Sequence, residues 1–103
     1  MDNFKIIYKI LNTLEKSMDL EEFDTDLLSS ESLKVSQERL NKYLLMLYEA
    51  GYINGVSIKR VITGETKVNI SNMAITLKGL EYLADNSIMQ RIYNTAKGVR
   101  ELL

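Results

Sequence analysis

Ser36, Gln37, Arg39, Asn41 and Lys42 stand close together in the chain, and the cations Lys59, Arg60 and Lys67 follow them. The chemistry open to such a set is recognition. Ammonium and guanidinium groups neutralise phosphates, while Gln, Asn and Arg can read base edges in the major groove of a duplex. Competing chemistry is scarce. There is no His and no Cys, which removes the commonest acid–base residue at neutral pH, every imidazole triad, and thiolate ligation of zinc or iron–sulfur. Carboxylates, Lys and Tyr remain, but no spacing among them marks a glycosidase pair or a Schiff-base lysine. The Gly51 to Gly55 stretch lacks the Gly-Lys-Ser/Thr ending that a phosphate loop requires. The expectation is a non-enzymatic chain with no catalytic residue, metal ligand or cofactor.

The element that must carry the polar set is a helix over residues 36–50. Ser36 is suited to cap it, Val35 and Leu40 are spaced for a hydrophobic staple, and Glu38 suits the dipole of the first turn. Leu40, Tyr43, Leu44 and Leu47 make a buried stripe, and Gly51 supplies the left-handed residue that stops the helix, with Tyr52 folding back on Leu47. Ser36, Gln37, Arg39, Asn41 and Lys42 then face outward. Beyond Gly51, β-branched residues flanking Thr63-Gly64-Glu65 predict a hairpin over 52–70, with one wet face and a bulge or twist near Arg60 and Val61.

The remaining elements are helical. Phe4, Ile7, Tyr8, Leu11, Leu14 and Met18 recur at spacings of three and four, which predicts an amphipathic helix over 3–18. Asp24 as a cap with Leu27 and Leu28 turned inward predicts a short helix over 24–29, and Ser29 to Ser32 read as the turn after it. Thr76 caps a predicted helix over 76–84, in which Gly79 admits a neighbouring backbone. A closing amphipathic helix is predicted over 87–102, its stripe formed by Ile88, Ile92, Ala96, Val99 and Leu103. That stripe either packs within the monomer or pairs with a second copy to make a homodimer.

With 103 residues and 46% hydrophobic content the chain makes one domain, α+β and mostly helical. The order of helix, short helix, turn, helix, hairpin, helix is that of a winged helix-turn-helix, with helix 36–50 as recognition helix and hairpin 52–70 as wing. The expected function is transcription-regulator-like binding of double-stranded DNA. The alternative is a protein–protein interaction module on the same scaffold, because Gln, Arg, Asn and Lys are also what solvation favours on a helix surface. Charge bears on both readings: the net charge is -1, residues 21–35 sum to -4 and residues 51–70 to +2. Glu38 and Glu49 offset Arg39 and Lys42. Tyr43 and Tyr52 read as core residues and not as a base-stacking set. No apolar run approaches the roughly 20 residues that a membrane span needs, and the N-terminus carries no secretory pattern, so a cytoplasmic protein is expected.

Ala50-Gly51-Tyr52-Ile53-Asn54-Gly55-Val56, then Ala74-Ile75-Thr76-Leu77-Lys78-Gly79-Leu80-Glu81-Tyr82-Leu83, and the tail from Ile88 to Lys97 with Tyr93 inside it resemble the YjcQ family of small bacterial and prophage proteins. The Gly-Tyr-Ile and Ile-Thr-x-Lys-Gly-x-x-Tyr-Leu stretches recur widely among winged-helix proteins; the order and the tail are more specific. The resemblance implies a winged-helix fold without enzymatic activity, and it supplies no catalytic or metal residue.

Overall fold

The computed structural model of the protein describes residues 2–86. The predicted helix over 87–102, and with it the choice between monomer and homodimer, lies outside the described residues. Helix α1 runs from Asn3 to Lys16, its first amides accepted by the Asp2 carboxylate, and a 3-10 turn over Ser17–Asp19 follows it. A second 3-10 turn spans Thr25–Leu28, and three helices complete the set: α2 (Ser30–Leu33), α3 (Gln37–Glu49) and α4 (Leu77–Asp85). Four short strands lie between α3 and α4: β1 (Ile53–Asn54), β2 (Ser57–Arg60), β3 (Thr66–Asn69) and β4 (Ala74–Ile75). The architecture is α+β and predominantly helical.

The core is made by Ile10, Leu11 and Leu14 of α1, Leu28, Leu33, the α3 stripe Leu40, Tyr43, Leu44 and Leu47, and then Ile53 and Met73. The α3 stripe is the one that the spacing predicts. On α1 the buried set is Tyr8, Ile10, Leu11 and Leu14, whereas Phe4 and Met18, expected inside, are exposed. Met18 is lost to the core because the α-helix gives way to the 3-10 turn at Ser17, whose hydroxyl donates to Thr13 O at 2.8 Å. The tighter winding takes residue 18 off the helical face.

The segment before α3 departs from expectation. Asp24 does cap, accepting from Asp26 N, but the turn it opens is 3-10 and closes at Leu28. Ser29 to Ser32, read as the turn, instead start α2: Ser29 Oγ accepts from Ser32 N at 3.1 Å. Serines that compete with the backbone inside a helix are good caps at its start. The true turn is Lys34-Val35-Ser36, and Lys34 stands at φ 58° in the left-handed region.

Both ends of α3 follow the expected chemistry. Ser36 Oγ accepts from Arg39 N at 3.1 Å. At the other end Gly51 stands at φ 87°, Gly51 N donates to Tyr48 O at 3.1 Å, and Tyr52 N donates to Leu47 O at 2.9 Å. This paired closure is the Schellman stop.

The hairpin is shorter than 52–70. Its ladder pairs Ser57 with Asn69, Ile58 with Val68, Lys59 with Lys67 and Arg60 with Thr66, with no bulge. The alternation falters at Val61 because the strand ends there. Val61 N donates to Glu65 O, Gly64 N donates to Val61 O, and Gly64 at φ 91° closes the three-residue loop 62–64. Residues 53–54 belong to a separate ladder, with Ile53 opposite Ile75 and Asn54 opposite Ala74.

That second ladder seats α4. Thr76 N donates to Tyr52 O at 3.1 Å. The Thr76 hydroxyl donates to Gly51 O at 2.6 Å and accepts from Gly79 N at 3.1 Å. A Cβ on Gly79 would lie 2.5 Å from Tyr52 O and 2.6 Å from Ile75 Cγ1, so the close approach expected at this glycine is present. Tyr52 packs against Tyr82 with ring centroids 5.5 Å apart, and Lys78 Nζ stands 5.3 Å from the Tyr52 ring centre. No helix among the described residues is long and apolar enough to cross a membrane.

Candidate nucleic-acid interface

A two-residue period decides which hairpin residues share a face. Ile58, Arg60, Thr66 and Val68 fall on one side, and Ser57, Lys59, Lys67 and Asn69 on the other. The first side looks toward α3. Between them lies an open groove of about 600 Å³ lined by Gln37, Glu38, Asn41, Lys42 and Leu45 from α3, and by Ile58, Arg60, Gly64, Glu65, Thr66 and Val68 from the hairpin. The fold thus brings four of the eight candidate residues, Gln37, Asn41, Lys42 and Arg60, into one groove.

The other four are placed elsewhere. Ser36 is occupied as the α3 cap. Arg39 turns toward α1: its Nη1 donates to Asn3 Oδ1 at 3.0 Å and to Tyr43 Oη at 3.5 Å. Tyr43 Oη also donates to Asn3 Oδ1, so one amide oxygen ties α1 to α3. Lys59 and Lys67 stand directly opposite each other on the far side of the hairpin, where they line a separate groove with Thr25, Ser57, Asn69 and Ser71. Like charges at facing positions work against the ladder, so this pair is not there to stabilise the hairpin.

Within the α3–hairpin groove, Gln37 Nε2 donates to Asn41 Oδ1 at 2.8 Å, one turn apart on the helix. Lys42 and Arg60 contribute two positive charges, and Glu38 and Glu65 two negative ones. The floor is apolar, with Leu45 38% and Ile58 40% exposed. Leu45, Ile58 and Val68 are the functional candidates that sequence reasoning passed over. Leu45 carried a signal, since it lies off the Leu40-Tyr43-Leu44-Leu47 stripe. Ile58 carried the wrong one, because alternation with Ser57 and Lys59 reads as a buried face, whereas the whole of β2 is exposed. Ile62, at the tip of the hairpin loop, is fully exposed.

Charge is segregated at a larger scale. Over residues 34–70, Lys34, Arg39, Lys42, Lys59, Arg60 and Lys67 outnumber Glu38, Glu49 and Glu65 for a net +3. Residues 2–33 are acidic, carrying eight carboxylates against three lysines. Among the described residues no cluster of His, Cys, Asp or Glu is placed to hold a metal ion.

The molecule is an α+β domain in which the outer face of α3 meets a two-stranded hairpin across a mixed groove. The chain belongs to the YjcQ protein family, whose model matches residues 8–102. No curated protein and no solved structure matches it.

Proposed function

We propose that the domain is a winged helix that binds double-stranded DNA without catalysing a reaction, with α3 as recognition helix and the β2–β3 hairpin as wing. The observation that carries this reading is the hairpin register, which sets Arg60 across the groove from Asn41 and Lys42. In this reading the first turns of α3 enter the major groove, Lys42 and Arg60 take phosphates on either wall, and Lys59 with Lys67 take a phosphate on the outer side of the wing. The 34–70 region supplies the positive charge for the duplex, and the acidic segment reaches the outer side of the wing, where Thr25 between Asp24 and Asp26 lines the groove of Lys59 and Lys67 and offsets part of their attraction. Arg39 acts as a positioning residue that holds α3 on α1.

The test is fluorescence anisotropy with a mixed-sequence duplex over a salt series. Log affinity should fall linearly with log salt, and each of Lys42→Ala, Arg60→Ala, Lys59→Ala and Lys67→Ala should reduce the slope by about one. If the variant lacking all four cations binds as well as the unsubstituted chain, the proposal is wrong. The apolar floor and the balanced charges of the groove favour a second reading, a protein-interaction module. Partners retained in a pull-down after nuclease treatment would support it.

A further inference from the structure

We infer that the α3–hairpin groove prefers A·T base pairs, with the Gln37–Asn41 amide pair reading adenine and Leu45 contacting the methyl group of thymine. This rests on the DNA-binding reading and adds base selection to it. Three observations point the same way. First, the Gln37–Asn41 hydrogen bond uses one amide N–H and one amide oxygen. No other hydrogen bond from these two side chains is present among the described residues, so the pair retains a free amide oxygen and free N–H groups. The same holds if both amides are flipped. A neighbouring acceptor and donor match the major-groove edge of adenine, which offers an N6 amino donor beside an N7 acceptor. Guanine offers two acceptors there.

Second, the side chain on α3 best suited to guanine is engaged elsewhere. A guanidinium that reads guanine does so with two N–H groups, and the Arg39 guanidinium is turned to Asn3 and Tyr43 at the α1 junction. Third, Leu45 lies four residues beyond Asn41 in the same groove and is 38% exposed. With Ile58 and Val68 it offers an apolar surface of the kind that contacts a thymine methyl. Gln37, Asn41 and Leu45 are spaced by four residues, so they advance by about 12 Å along the helix, a length matching roughly three to four base pairs at 3.4 Å each. The amides and the leucine therefore fall on neighbouring pairs and not on one.

The experiment is enrichment from a randomised duplex library at low salt, followed by anisotropy on duplexes that differ only in a central block. The expected result is enrichment of A·T-rich blocks and at least about tenfold weaker binding when the block is G·C, a ratio that Asn41→Ala should largely abolish. Replacing thymine by deoxyuridine removes only the methyl group. It should weaken binding several-fold for the unsubstituted chain and leave the affinity of Leu45→Ala unchanged. Asn41 is half-buried and Leu45 exposed, both outside the core stripe of α3, and circular dichroism confirms that the variants are folded. Salt-dependent binding without base preference, or enrichment of G·C blocks, overturns this inference while leaving the DNA-binding reading in place. Absence of duplex binding overturns both.

Discussion

Two glycines separate the cost of a backbone conformation from the cost of a contact. Gly55 and Gly64 stand at φ 79° and φ 91°, in the region that side chains disfavour. Nothing lies within 4 Å of a Cβ added at Gly64, whereas one added at Gly55 would lie 1.9 Å from Asn72 O. Gly64→Ala should therefore cost about 1–2 kcal/mol from strain alone. Gly55→Ala adds a backbone collision that cannot relax without moving the β3–β4 connection, and should cost about 3 kcal/mol or more. Urea unfolding of the two variants checks the order, and equal losses would mean that the 55–72 contact yields easily. At the same scale, the outward position of Gln37 and Lys42 was legible because the core stripe of α3 excludes them. The direction taken by Arg39 was not. Its acceptor Asn3 is 36 positions away in the chain, and no local pattern encodes a partner at that distance.

Among the elements, α3 and α4 were read almost to the residue because each begins with a hydroxyl cap, and α3 ends in a glycine that must be left-handed. The start of α2 was misread because Ser29, Ser30 and Ser32 serve equally as turn residues and as helix-start residues, and the burial of Leu28 and Leu33 goes with the helical choice. The hairpin was read too long because Ile53 looks like a hairpin residue in sequence but pairs with Ile75 at the base of the hairpin. Thr76 joins these elements. Thr76→Ala removes both the cap on Gly79 N and the bond to Gly51 O, so it should cost about 2 kcal/mol, more than the ~1 kcal/mol typical of a lost cap. Thr76→Ser keeps the hydroxyl and should recover most of that. Thermal unfolding of the pair is the measurement, and a serine variant no better than alanine would mean that the methyl group matters more than the bonds.

At the scale of the whole molecule, charge is distributed so that one third is acidic and the α3–hairpin region basic, while the total stays near zero. The balance hides the polarity, so the net charge alone gives no sign of it. Alkaline stability follows from the interior of the α4 contact. Burial pushes the Tyr82 hydroxyl above its ordinary range, aided by the nearby Tyr52 and Asp2. The folded state then holds a proton that the unfolded chain releases near pH 10, so this contribution is complete below about pH 10 and is lost as pH rises further. Tyr82→Phe should flatten the decline of unfolding free energy as pH rises past about 10, measured by urea titration at each pH. An unchanged slope would place the titrating group elsewhere.

The two-pair ladder of Ile53 with Ile75 and Asn54 with Ala74 has an evolutionary reading. It fastens the chain on both sides of residues 55–72, and the buried Ile53 and Met73 lie just outside that interval. Val56, Val68 and Ile70 inside that interval still pack on the core, so it is the outer part of the flap, residues 57–67, that is insulated from the interior. Relatives can lengthen, shorten or recharge that outer part without renegotiating the packing of α1, α3 and α4, so divergence should collect there while the body of the domain stays the same.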